Sequence, residues 1–158
     1  MAELRFGLGF DSHPRDEARP CLIGGVLFEG APGLAGHSDA DVLCHAIADA
    51  MLGAAGMGDL GQHFPDTDPA QAGLEGLELL RRTAALVREQ GLEPHACDAT
   101  VIAAEPAIAG RRDEIRANLA DALGVDPGRV SVKGTRPEGL GLTGDGAACL
   151  ALAVLAPA

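Results

Sequence analysis

The sequence predicts an α/β two-layer domain, a mixed four-stranded sheet with helices packed on one face, forming a single unit over residues 1–158. Three observations point to it. Stretches of period-two alternation take turns with stretches whose apolar residues recur every three or four positions. A length of 158 residues suits one compact domain with a core of its own. Apolar residues make up 47% of the chain, and with no Trp or Tyr and only four Phe the core has to be built from Leu, Val, Ile and Ala.

The elements follow in order. Leu4, Phe6, Leu8 and Phe10 alternate with Arg5, Gly7, Gly9 and Asp11, which is a strand whose odd-numbered face ends in Asp11 and His13. CLIGGVLF (21–28) fits a hairpin or a second edge. Residues 38–55 read as a helix, with Ser38 as N-cap, Asp41 completing a near capping box, and Asp39 and Asp41 at the positive end of the dipole; Gly56 and Gly58 close it. GDLGQHFPDTDP (58–69) is a loop by composition. Leu77, Leu80, Ala84 and Val87 give a second helix near 74–90, ended by Gly91. DATVIAA (98–104) is a strand that stops at Glu105-Pro106. Residues 111–124 form a third helix with Ile115, Leu119 and Leu123 along one side, and RVSVK (129–133) is a short strand. Periodicity does not assign GAACLALAVLA (146–156); its length and the glycines before it favour a central strand. There is no internal repeat and no linker.

Net charge narrows the partners. Twelve Lys and Arg against 23 Asp and Glu give −11, a poor match for nucleic acid or an anionic membrane surface. An anionic ligand would need local help from metal ions, backbone N–H groups or helix N-termini. Cys21, Cys44, Cys97 and Cys149 include no CxxC pair, so reduced, mostly buried thiols are expected. With no secretory signal and no apolar run of spanning length, a cytoplasmic location is expected.

Three clusters carry chemistry. Asp11 and His13, two apart on a strand, can converge on one point, and a mixed O/N pair suits zinc. The pair alone is equally a strand end leaving the core. HSDADVLCH (37–45) puts Asp41, His45 and Asp49 on one helix stripe, where carboxylates one turn away could orient the imidazole. Asp11, His13 and His45 then make a three-ligand set with one open position, the pattern of a catalytic zinc. In KGTRPEGLGLTGDG (133–146), Gly139 to Gly144 match G-x-G-x-x-G. Too little chain follows for a dinucleotide fold, and Lys133 precedes the glycines, which argues against a Walker loop. The segment is either a phosphate cradle or a turn between strands. Thr135 and Glu138 favour the cradle, with a hydroxyl for phosphate and a carboxylate for Mg²⁺. His63 and His95, the latter in a Pro-rich connection, are read as ordinary, and Cys44 as a core thiol.

Taken together, GFDSH (9–13), GHSDADVLCHAIADAMLGAAGMGDLGQHFPDTDP (36–69) and KGTRPEGLG (133–141) resemble the 2-C-methyl-D-erythritol 2,4-cyclodiphosphate synthase family over essentially the whole chain. The resemblance implies a homotrimer with sites shared between neighbours. It also implies a phosphorus–oxygen lyase of non-mevalonate isoprenoid biosynthesis. Its substrate would be 4-diphosphocytidyl-2-C-methyl-D-erythritol 2-phosphate, with no nucleic acid and no membrane as partner. Position by position, it implies Zn²⁺ or another transition metal at Asp11, His13 and His45, and Mg²⁺ or Mn²⁺ at Glu138. His37 and Ser38 would contact phosphate, with His37 stabilising charge during transfer. Asp59, Leu60 and Gly61, then Phe64, Pro65, Asp66, Thr67 and Asp68, would line the methylerythritol pocket. Ala103, Ala104, Glu105, Pro106, Ala107, Ile108 and Ala109 would wrap cytosine. Thr135, Pro137 and Leu142 complete the nucleotide side.

The chain departs from the family at four places. Arg136 and Pro137 stand where a second Thr and its neighbour are usual; Arg136 could bind phosphate through its fork or obstruct the pocket. Ala107 replaces a common Lys, and Asp145 a common Arg, so no anion site is expected on a trimer axis. A zinc enzyme of another phosphorylated substrate and a non-catalytic phosphometabolite binder are the competing readings.

Overall fold

The computed structural model describes residues 3–141 and 145–158. In chain order the elements are β1 (Arg5–Asp16), β2 (Leu22–Ile23), β3 (Val26–Leu27), β4 (Gly33–Leu34), α1 (Val42–Ala55), α2 (Leu60–His63), α3 (Gly76–Glu89), β5 (Leu92–Ala103), α4 (Arg112–Leu123), β6 (Val130–Thr135) and β7 (Gly146–Pro157). The main sheet runs β4-β1-β7-β5-β6, antiparallel except for the parallel β5–β6 pair. It is therefore mixed, as expected. It has five strands rather than four because two residues, Gly33 and Leu34, pair with Arg15 and Asp16 at one edge. The C-terminal apolar run is the central strand β7, and residues 21–28 form the β2–β3 hairpin.

Helix α1 lies across β1 and β7, and α3 and α4 continue the helical layer. Its approach to β1 depends on Gly7 and Gly9. A Cβ on Gly7 would stand 2.0 Å from the Ala50 carbonyl oxygen, and one on Gly9 2.0 Å from that of Ala46. Backbone thus packs on backbone, and the pleat that carries these glycines delivers Asp11 and His13 to the end of α1.

The apolar side of β1 goes the other way. Phe6, Leu8 and Phe10 are 61%, 71% and 54% exposed, and they pair in register with Val154, Leu152 and Leu150 of β7. The core is built from the opposite face, with Val101, Cys149, Ala151 and Leu155 of the sheet against Leu43, Ile47, Leu80 and Leu119 of the helices.

Two local expectations are corrected. The first helix starts at Val42, not Ser38. Its N-cap is Asp41, whose carboxylate accepts from the Cys44 N–H and also from Gly24 and Gly25 of the hairpin turn, at 3.2, 2.9 and 2.7 Å. Both residues are good caps in isolation; the turn's two extra donors select Asp41. His95 lies within β5, at a register shift between Pro94 and Ala96, with its ring 2.7 Å from the Arg129 guanidinium.

Candidate active site

The second half of β1 and the first turn of α1 bring Asp11, His13 and His45 together. Asp11 Oδ2 lies 2.8 Å from His13 Nε2 and 3.1 Å from His45 Nδ1, and the two ring nitrogens are 3.1 Å apart. Two ligands on tetrahedral zinc at 2.0–2.1 Å stand about 3.3 Å apart, so this triangle matches the donor spacing of a single ion. Proton placement agrees with it. The Ala35 carbonyl accepts a hydrogen bond from His13 Nδ1 at 2.8 Å, which leaves the Nε2 lone pair facing the triangle. His45 Nε2 has Ser38 Oγ at 3.1 Å, and a proton there frees Nδ1 in the same way. These three residues could hold a metal ion.

The electrostatics fit that role. Burial alone would raise the Asp11 carboxyl, but with no ion between them His13 Nε2 and His45 Nδ1 can carry protons toward it, and those hydrogen bonds outweigh burial and hold it at about 2; a cation in the triangle would take the place of those protons. Asp11 is thus ionised at any physiological pH, an acceptor-only ligand. The stripe expected to orient His45 does not do so. Asp41 is spent on capping α1, and Asp49 accepts from the Leu60 N–H at 3.0 Å, which seats α2. The groups that touch His45 are Asp11, His13 and Ser38.

A cavity of about 550 Å³ opens from the triangle. His37 and Ser38 line it beside Leu60, Gly61 and Phe64, and Asp66, Thr67 and Asp68 form a farther wall. His37 is exposed, with Nε2 3.9 Å from Asp66 Oδ2. Asp59 and Pro65 do not line the cavity; Asp59 caps α2 through the Gln62 N–H. A second hollow of about 200 Å³ lies where β5 and β6 end. Ala103, Ala104, Pro106, Ala107, Ile108 and Ala109 wrap it, and Thr135 and Arg136 close it. Glu105 and Pro137 face a third hollow of about 460 Å³, which also touches Arg15 and Asp145. Glu138 is exposed and left-handed at φ 50°, and among the described residues it belongs to no cluster of three or more potential metal ligands. Leu142 lies outside the described residues.

The model of the YgbB family matches residues 4–156. The chain belongs to the YgbB family. It is 54% identical over 153 residues to a bifunctional enzyme IspD/IspF of Anaeromyxobacter sp. (strain Fw109-5), covering 97% of this chain but 39% of that protein. It is 49% identical to a 2-C-methyl-D-erythritol 2,4-cyclodiphosphate synthase of Trichlorobacter lovleyi, covering 96% and 97% of the two chains. Among solved structures, the bifunctional IspDF of Campylobacter jejuni superposes with a TM-score of 0.94 at 39% identity, over 100% of this chain and 43% of that one. A CDP-bound 2C-methyl-D-erythritol-2,4-cyclodiphosphate synthase does so at 0.87 and 32%, over 96% and 99%. The chain thus spans about two fifths of the bifunctional relatives and nearly the whole of the single-function ones.

Within this YgbB-family site, several contributors carry no sequence signal. The Ala35 carbonyl that orients His13 is backbone. Arg19 holds the 36–38 loop by donating to the Gly36 carbonyl at 2.5 Å and to that of Ser38. Arg112, from the first turn of α4, reaches the small hollow. Ala35 and Arg19 are distant in sequence from the groups they serve, and Arg112 lies just past the 103–109 segment that carries the resemblance.

Proposed function

We propose that this chain converts 4-diphosphocytidyl-2-C-methyl-D-erythritol 2-phosphate to 2-C-methyl-D-erythritol 2,4-cyclodiphosphate and CMP, a phosphorus–oxygen lyase step of non-mevalonate isoprenoid synthesis. The observation that carries it is the Asp11–His13–His45 triangle at the wall of the large cavity, in a YgbB-family chain. An oxygen of the 2-phosphate attacks the β-phosphorus, the bond from that phosphorus to the bridging oxygen breaks, and CMP leaves with the oxygen. No protein nucleophile is needed. The work is alignment of two anionic groups and offset of their charge.

The residues divide that work. Asp11, His13 and His45 would hold a divalent cation, which would supply positive charge to offset the phosphate groups. His37 and Ser38 donate to the phosphate, and Leu60, Gly61 and Phe64 exclude water from the methylerythritol carbons. The alanine-rich hollow takes the cytosine, with Thr135 and Arg136 at its rim for the diphosphate. Glu138, a single exposed carboxylate, would hold Mg²⁺ or Mn²⁺ only together with diphosphate oxygens, the usual way Mg²⁺ is shared with nucleotides. The uncovered apolar face of β1 and β7 supports assembly of three copies with shared sites. Four free, buried cysteines support a cytoplasmic location, and no helix among the described residues is long and apolar enough to cross a membrane.

The test is ³¹P NMR of the substrate incubated with the protein, Zn²⁺ and Mg²⁺. The expected result is two coupled resonances of a cyclic diphosphate and one of CMP. Unchanged substrate, or a linear product, would contradict the reading.

A further inference from the structure

Most basic side chains of this acidic chain are already partnered. Arg15, Arg81, Arg82, Arg88, Arg116 and Lys133 each sit against a carboxylate. Arg111 pairs with Glu114, Arg19 holds two carbonyls, and Arg129 faces His95. Arg5, Arg112 and Arg136 have no side-chain hydrogen-bond or ion-pair partner among the described residues; Arg5 starts β1, whereas Arg112 and Arg136 both line the same hollow of about 200 Å³. They arrive from different elements, Arg112 from the start of α4 and Arg136 from just past the end of β6.

That coincidence calls for an anion. Val101, Ala104, Ala107 and Ile108 line the same hollow with apolar side chains that suit a flat ring. The volume has room for a pyrimidine but not for a whole nucleoside diphosphate, so the charged end of such a ligand must lie at the mouth, where both exposed arginines stand. Local stability does not account for Arg112, because a cation in the first turn of a helix opposes the macrodipole. Its neighbour Arg111 is neutralised by Glu114 within that turn; Arg112 is not.

We propose that Arg112 is a second phosphate-positioning residue of the nucleotide hollow, acting with Arg136 on the diphosphate of a cytidine nucleotide whose base occupies the alanine-lined pocket. The proposal rests on the reading of that hollow as the cytidine site. Two guanidinium forks offer the diphosphate planar, charge-assisted donors.

Calorimetric titration of the full chain with CDP, CMP and cytidine tests it, using the wild type, Arg112→Ala and Arg112→Lys. The expected result is a loss of about tenfold in CDP affinity for Arg112→Ala, the size of one charge-assisted hydrogen bond. Cytidine affinity should be unchanged, and Arg112→Lys should recover part of the loss. The wild-type advantage should also shrink as salt is raised. Equal CDP affinity in wild type and Arg112→Ala, or an equal loss for CDP and cytidine, would overturn the proposal. A wild-type protein that binds none of the three ligands would instead remove the cytidine reading itself, and this proposal with it.

Discussion

At the scale of the residue, the site depends on a few protons being in the right place. Ser38 illustrates this. It looks like a helix cap in sequence, but its hydroxyl faces His45 Nε2. Ser38→Ala should therefore weaken metal affinity about 10- to 100-fold, as measured by competition with a chelator, and cost about 1–3 kcal/mol of stability for the His45 and Ala40 hydrogen bonds it removes. The Asp11–His13–His45 cluster was legible because D-x-H on a strand and a histidine on the next helix restrict the geometry so strongly. Their supporting partners were not legible, since Ala35 and Ser38 meet the imidazoles only through the tertiary fold. The thiols give a second expectation. Burial pushes Cys21 up to about 11 and Cys97 up to about 12, and it raises Cys44 and Cys149 as well. All four should resist a thiol reagent at pH 8 in the native state and react once urea unfolds the chain. The sign for stability follows. With folded values above the unfolded ones, the native state keeps protons that the unfolded chain releases. Stability should be full below about pH 9 and fall as pH rises toward 11–12, seen as a declining urea midpoint.

At the scale of the element, β1 and α1 form the lever that builds the site. Their contact is made through glycine, so it tolerates no added atom. Gly9→Ala should cost about 1–3 kcal/mol or more in urea unfolding, because the new methyl meets the Ala46 carbonyl and the Ala50 amide with no side chain to yield. The same change should lower metal affinity, since it pushes α1 and His45 away from Asp11. The types of the longer elements and most of their boundaries could be read from periodicity and glycine stops, including the central C-terminal strand. The short helix α2 (Leu60–His63) inside the expected 58–69 loop and the first six residues of β5 could not, nor could the start of α1. Asp41 was chosen over Ser38 by N–H groups of Gly24 and Gly25, sixteen or seventeen residues earlier in the chain. The fifth strand was equally hidden, because a two-residue pairing has no period to detect.

At the scale of the whole molecule, the sheet presents its apolar side outward. Alternation in β1 shows that one side is apolar but not which layer it meets, and here glycine, not phenylalanine, faces the helices. Leu8→Glu, in the centre of the uncovered face, should reduce the particle in light scattering from three chains to one and abolish activity while leaving each chain folded by circular dichroism. A monomeric wild type would contradict assembly through this face. On the proposed reading, Asp11, His13 and His45 hold the ion on which CMP release depends. The most direct measurement is CMP release from 4-diphosphocytidyl-2-C-methyl-D-erythritol 2-phosphate, with Mg²⁺ present throughout. It should be made with chelator-stripped protein, with the same protein given one equivalent of Zn²⁺ per chain, and with His45→Ala treated identically. Release restored by zinc in the wild type and absent from the folded variant is the predicted result. Equal release from all three samples would contradict the claim.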